Sequence, residues 1–290
     1  KVKIKTRQVG GQIMHTDISV IDIIKKRRST RNFDKKDIDK QRLQRLEEFI
    51  EEINRQAKIR ARFTLTTNNR EDGKAKRLGT YGTIAGAKTY IVGILDKDEK
   101  DSVEFGYLFE KIVLFVTGLD LGTCWLGGTF SRSNFRESLA LDKNEFIPIV
   151  SPVGYIKDKA RLVDTVIRAG AGSGKRKAWS DLFFDSDTSK PLTKEKAGPY
   201  KTPLEMVRLG PSASNRQPWR LVKDDNKFHF LLSRTKGYGI PSYDMQKNDI
   251  GIAKCHFELT AKELGLKGKW AKEDIGMVDG LEYICTWVGE

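Results

Sequence analysis

A chain of 290 residues with 53 Lys and Arg against 39 Asp and Glu carries a formal charge of +14, and 38% of its residues are hydrophobic. That length buries one large core or two ordinary ones. With 32% charged residues and a most apolar run of only Ile112 to Leu119, the composition excludes an integral membrane protein, whose helices need about 20 apolar residues. Three dispersed cysteines (Cys124, Cys255, Cys285) argue against a disulfide framework or a zinc ribbon, and the N-terminus lacks the apolar block of a signal peptide, so a soluble, reducing, cytoplasmic setting is expected.

In chain order, Val20, Ile21, Ile23 and Ile24 predict a helix that opens at Asp17 or Ser19 and stops before Arg31-Asn32-Phe33. A second helix opens near Asp39, with Leu43, Leu46, Phe49, Ile50 and Ile53 at three- and four-residue intervals. Residues 61 to 67 and 89 to 95 read as strands. Val103 to Leu121 is apolar almost all round, the mark of a buried central helix, and Gly122 is its expected stop. A strand at 147 to 155 leads into a basic crossing segment with Gly170, Gly172 and Gly174. Beyond it, 204 to 209 reads as helix, 221 to 222 and 228 to 232 as strands, 250 to 264 as a helix stopped by Gly265, and 281 to 288 as a strand.

That second run repeats the first. Leu121-Gly122 matches Leu264-Gly265 at an offset of 143, and Val153-Gly154 matches Val288-Gly289 at 135, both close to half the chain. Two related units packed as an internal pseudo-dimer follow from this repeat. The charge is also clustered: residues 1 to 40 hold twelve basic and five acidic residues, and residues 157 to 177 hold seven against two. Two separate clusters suit two walls closing on one anion better than the continuous stripe of a nucleic-acid groove. Solubility alone accounts for the excess equally well.

Three loop segments have the composition of a binding site. Arg27-Arg28-Ser29-Thr30-Arg31, at a helix end, gathers guanidinium forks and hydroxyls that match phosphate oxygens, although taken alone it fits a solvated basic helix end better. Pro211-Ser212-Ala213-Ser214-Asn215-Arg216-Gln217-Pro218-Trp219 holds small polar groups on a restricted backbone, which suits a flat heterocycle with alternating donors and acceptors. Gly122-Thr123-Cys124-Trp125-Leu126-Gly127-Gly128 lets a ring or another backbone approach closely, with Trp125 read as core. No histidine has a partner at metal or triad spacing; His256 beside Cys255 reads as a satisfied core pair.

Together these segments resemble the FMN-dependent nitroreductase family over most of the chain. Arg27 to Phe33 resembles its N-terminal signature, Pro211 to Trp219 its Pro-Ser-x-x-Asn-x-Gln-Pro-Trp loop, and Asp249 to Leu266 its central helix. The resemblance implies an α+β, nitroreductase-like fold with mixed sheets, long buried central helices and an internal pseudo-dimer. Family members carry one unit per chain and bind two FMN at a homodimer interface. Here the first half keeps Arg27-Arg28-Ser29 but has Glu52-Ile53-Asn54-Arg55-Gln56 in place of a Pro-Ser loop, whereas the second half keeps that loop without an Arg-Arg-Ser signature. One composite site per chain is therefore expected, in the branch with two fused halves: 17–157, a crossing segment 158–190, and 191–290.

The resemblance assigns Arg27, Arg28, Ser29 and Arg31 to the FMN phosphate, ribityl chain and pyrimidine edge, with Arg176 as a second phosphate ligand. Pro211, Ser212, Ala213, Ser214 and Asn215 would line the flavin with Gln217 supporting them, and Leu126, Gly127 and Gly128 would approach its reactive nitrogen, where a backbone amide can donate. The implied activity is a ping-pong reduction in which NAD(P)H reduces the flavin and a nitroaromatic or quinone-like acceptor reoxidises it. It needs no side-chain nucleophile, and no catalytic or metal-binding residue is assigned. A flavin-consuming oxygenase or carrier is the alternative within the class; a basic nucleic-acid-binding module is the rival outside it. Nucleic acid and membrane are not expected partners, and the pseudo-dimer makes a monomer sufficient.

Overall fold

The computed structural model describes residues 18–68, 78–139, 141–157, 175–240, 242–275 and 278–290; the basic leader and Gly170, Gly172 and Gly174 lie outside them. Helix α1 (Val20–Lys26) is capped by the Ser19 hydroxyl and buries Val20, Ile23 and Ile24. Helix α2 (Lys40–Gln56) is capped by Asp39, whose carboxyl also accepts from Arg42 and Tyr155 and so lies well below the ordinary carboxylate range. Its inward face, Leu46, Phe49, Ile50 and Ile53, packs on α3 (Ser102–Gly118), with the Phe49 ring stacked 4.1 Å from that of Phe115.

Strands β1 (Ala61–Thr67), β2 (Thr89–Asp96), β3 (Gly122–Thr123) and β4 (Glu145–Gly154) form an antiparallel sheet in the order β1-β2-β4-β3. The second half repeats it. Strands β6 (Trp219–Asp224), β7 (Lys227–Leu232), β8 (Gly268–Ala271) and β9 (Glu282–Gly289) run β6-β7-β9-β8, again antiparallel, and β5 (Phe183–Asp185) adds in parallel beside β6. This α+β arrangement of two related units is the architecture expected from the sequence.

Each sheet packs on a buried central helix, α3 in the first half and α6 (Met245–Glu263) in the second, and the two helices cross at their N-terminal turns. The crossing needs glycine. A Cβ on Gly106 would stand 2.2 Å from the Asn248 carbonyl oxygen, and one on Gly251 would stand 2.0 Å from that of Val103. These pairs, 103 with 248 and 106 with 251, share a spacing of 145, so a pseudo-two-fold relates the helices through this contact. No helix among the described residues is long and apolar enough to cross a membrane.

The helix stop expected at Gly122 is placed elsewhere. Helix α3 is capped at its C-terminus by Leu119, Asp120 takes the left-handed conformation (φ 62°), and Leu121 N–H donates to Val116 O at 3.2 Å. Helix α6 ends identically, with Leu264, Gly265 (φ 73°) and Leu266 N–H donating to Ala261 O at 2.9 Å. The stops therefore share the spacing of 145, not 143. Gly122 serves another purpose: it starts β3, and a Cβ there would stand 2.7 Å from the Thr30 hydroxyl.

Glu52 to Gln56, expected in place of a loop, is the last turn of α2, where the Asn54 amide exchanges two hydrogen bonds with the Phe63 backbone of β1. The true connection is Ala57 to Arg60, against 210–218 at the same place in the second half. The short elements β3, β5, β8 and α4 (Arg132–Glu137) carry too few apolar residues to show a period. Helix α5 (Lys201–Leu209) starts three residues before the sequence expectation, and α6 starts five before it, at its Asp244 cap.

Candidate functional site

Helix α1 belongs to the first half by chain order, yet it packs on α5 and α6 as well as α3. The Ser19 hydroxyl and the Val20 amide both donate to Glu263 of α6. Its C-terminal end is thus delivered to the interface between the halves. Arg27 caps the helix by donating its N–H to Ile23 O at 2.9 Å. The chain then runs extended: Ser29 bridges Thr123 of β3, Thr30 N–H donates to Thr123 O at 2.7 Å, and the Arg31 carbonyl accepts from Ala85.

Along this segment the arginines separate. Arg27 turns inward, and its Nε and Nη1 are buried with no hydrogen-bond partner. Burial pushes its pKa down, against the opposing pull of nearby Glu110 and then Cys124. Arg31 likewise has a buried Nη1 with no partner. Arg28 is exposed and engages none of the other site residues described.

Segment 175–177 meets Arg27 from the other side. The Arg176 pKa is lowered first by burial and then by the charges of Arg27 and Arg208. Its Nη1 donates to Asn215 Oδ1 at 3.1 Å and its Nη2 to Leu209 O at 3.2 Å. One guanidinium therefore ties the end of α5 to the Pro-Ser loop while facing the arginine of the first half. Asn215 Nδ2 donates to Lys175 O at 2.9 Å, and Gln217, 3% exposed, accepts from Lys177 N–H at 2.8 Å.

The Pro211 to Gln217 loop is held rigidly. Ser214, Asn215 and Gln217 all take positive φ (47°, 54° and 48°), a conformation that costs a non-glycine residue unless its surroundings impose it. Three anchors impose it here. Ser212 Oγ accepts from Gln217 N–H at 2.8 Å, Tyr238 OH donates to Ser214 Oγ at 2.9 Å, and Ala213 N–H donates to Asp249 of α6 at 3.1 Å. The Asp249 carboxyl is buried, which pushes its pKa well above the ordinary value.

A proton held more tightly in the folded state means that the Asp249 contribution to stability is complete below about pH 4 and is lost as the pH rises through the folded pKa. Asp249→Asn keeps an oxygen for Ala213 N–H and should raise stability at neutral pH while flattening its dependence above pH 4. Asp249→Ala should release the loop. Denaturant melts at several pH values check both.

On the opposite wall, the structure departs from one sequence expectation. Leu126 N–H donates to Val150 O and the Leu126 carbonyl accepts from Val150 N–H, so its amide is already used and its side chain is buried. Gly127 and Gly128 are left as the donors. A Cβ on Gly127 would stand 2.5 Å from Met245 Cε, whereas nothing stands within 4 Å of one on Gly128, which is exposed. Met245 and Asp249 share one face of α6, so that face positions both the glycine loop and the Pro-Ser loop.

Trp125, expected in the core, is half-buried; it packs on Phe109 and donates Nε1–H to Glu110 Oε2 at 2.8 Å. His256 does not pair with Cys255. Its Nδ1 lies 2.8 Å from Met206 O and its Nε2 2.8 Å from Glu110 Oε1, both residues fully buried. A carbonyl only accepts, so Nδ1 donates to Met206 O, and Nε2 makes the second hydrogen bond to the Glu110 carboxyl. Glu110 lies 146 positions away, and no sequence spacing announces it.

The residues predicted from four distant segments thus converge, with Arg28 outside the cluster and Leu126 contributing no amide. Among solved structures similar to the chain, a protein described as a putative nitroreductase from Thermotoga maritima MSB8 is 19% identical, with 99% of each chain covered and a TM-score of 0.59. An FMN-dependent nitroreductase from Clostridium difficile R20291 is 20% identical over 49% of this chain and 90% of its own (TM-score 0.37). Nitroreductase A from Vibrio parahaemolyticus RIMD 2210633 is 20% identical over 50% and 71% (TM-score 0.39). No curated protein matches the chain. The protein family described as "Putative TM nitroreductase" matches residues 19–261, a span that takes in Arg27, the Gly127–Gly128 wall, Arg176 and the Pro-Ser loop, and this chain belongs to that nitroreductase family.

Proposed function

We propose that the chain binds one FMN across its internal interface and acts as an NAD(P)H-dependent oxidoreductase on nitroaromatic or quinone-like acceptors. The observation that carries this reading is the set of buried, unpartnered guanidinium nitrogens on Arg27 and Arg31, with the Arg176 guanidinium repelling that of Arg27 across the interface. Buried donors without acceptors are costly, and a phosphate supplies the charge and the oxygens that remove the cost. Arg27 and Arg31 would hold it from the first half (17–157) and Arg176 from the crossing segment (158–190). The Pro211 to Gln217 loop of the second half (191–290) would line the flavin, with the Ser214 hydroxyl presented on a frame fixed by Asp249 and Arg176.

When bound, FMN supplies the hydride chemistry, so the protein has only to orient it and leave one face open to both substrates. Gly128, exposed and unobstructed, offers its amide at the opposite wall. The pseudo-symmetric position carries only Ala57 to Arg60, too short and lacking the Pro-Ser residues for a second site.

Flavin released by acid from the purified, FMN-saturated protein should amount to one FMN per chain. Two per chain would overturn the single composite site, and none would overturn the flavin reading. Steady oxidation of NADH or NADPH with a nitro compound is the expected turnover.

A further inference from the structure

Gly127 and Gly128 stand where the glycine wall meets solvent, and a single side chain holds the peptide between them. Arg132, at the start of α4, donates Nη2–H to the Gly127 carbonyl and Nε–H to Ile147 O at 3.1 Å, with its guanidinium 4.8 Å from the centre of the Phe130 ring. Ile147 is on β4, the strand whose Val150 pairs with Leu126. One strand therefore braces this segment twice, through Val150 on Leu126 just before the glycine pair and through Arg132, itself bonded to Ile147, on Gly127.

The consequence is geometric. A trans peptide is planar, so its C=O and N–H point in opposite directions, and no described peptide is cis. Holding the Gly127 carbonyl toward Arg132 turns the Gly128 N–H the other way. That N–H donates to no described residue, and Gly128 is exposed. Gly128 has no side chain to fix this direction, and a free glycine peptide would sample both orientations.

We propose that Arg132 is a positioning residue that fixes the Gly128 N–H as a donor to the carbonyl oxygen beside the flavin's reactive nitrogen, an atom that gains negative charge on reduction. The inference rests on the flavin reading above. A donor fixed before charge develops favours the reduced state without reorganisation, so losing it should cost the reduced flavin more than the oxidised one.

The test uses the full chain loaded with FMN, reading the affinity for oxidised FMN by fluorescence quenching and the midpoint potential against a reference dye. Arg132→Ala should leave the oxidised affinity within about threefold and weaken the reduced state about tenfold more, a fall of about 30 mV for a two-electron couple. Arg132→Lys, which can reach one carbonyl, should restore part of the loss. Arg136→Ala, on the same helix and bonded to the Glu145 and Asp142 carbonyls instead, should leave the potential unchanged.

Should Arg132→Ala fail to fold, glycine-labelled NMR of the wild-type chain reads the same bond: the Gly128 amide proton should move downfield on FMN binding and further on reduction. An unchanged potential in loaded Arg132→Ala, an equal shift in Arg136→Ala, or an unmoved Gly128 proton would overturn the inference and leave the flavin reading standing. A wild-type chain that takes up no FMN would overturn both.

Discussion

Arg27→Met should make the protein without flavin more stable while removing its ability to hold FMN. The two effects have one cause. Arg27 leaves two guanidinium nitrogens buried without partners, and burial depresses its pKa despite the nearby Glu110 carboxylate. Each unsatisfied buried donor costs about 1–3 kcal/mol, and methionine fills similar volume without that cost. The unliganded variant should therefore gain about 1–3 kcal/mol in denaturant melts.

Its FMN affinity should move the other way. Hydrogen bonds to charged groups contribute about 1.5–3 kcal/mol, and two are lost, so the dissociation constant should rise about 100-fold or more. Asn215→Ala should also weaken FMN, because Asn215 Oδ1 holds Arg176 beside Arg27. Stability that falls in Arg27→Met, or FMN affinity that stays within threefold of wild type, would show that this arginine is a structural cation and not an anion ligand.

Gly251→Ala should be among the most damaging single-methyl additions in the chain. The added carbon would stand 2.0 Å from Val103 O and 2.6 Å from Tyr107 N, and both are backbone atoms of a buried helix with no rotamer to yield. Relief requires α3 and α6 to part. Overpacking in a core ordinarily costs about 1–3 kcal/mol, and an overlap with backbone should exceed that range. Gly106→Ala, at 2.2 Å from Asn248 O, should behave alike.

The functional consequence follows from what the helices carry. Glu110 of α3 pins Trp125 and faces Arg27, while Asp249 of α6 holds Ala213, so separating the helices moves the two walls of the site apart. Circular dichroism melts should show both variants losing more than 3 kcal/mol or failing to fold. A wild-type melting curve for Gly251→Ala would mean that the crossing is looser than this geometry.

Much of this was legible before any coordinates. The helix faces at Val20 to Ile24 and Leu46 to Ile53, the mostly apolar α3 and the alternating β1 follow from local periodicity, which needs only neighbours in the chain. The Pro-Ser loop was legible for a related reason: the residues that take positive φ there are polar, and they stand between two prolines. What escaped was decided by distant partners. Gly122 looks like a helix stop from its place after Leu121, yet the close approach of Thr30, 92 positions earlier, is what requires it. Leu126 looks like an available amide until β4 pairs with it.

By itself, then, the sequence determined the two-fold repeat, the family likeness and the four segments that make up the candidate site, because periodicity and loop composition are written in adjacent residues. Only the tertiary structure decided which arginine turns inward, that His256 meets Glu110, that the helices cross on Gly106 and Gly251, and that Arg132 bonds the Gly127 carbonyl. Each of these depends on a contact between residues distant in the chain or on the direction a bond faces. Neither is set until both halves pack.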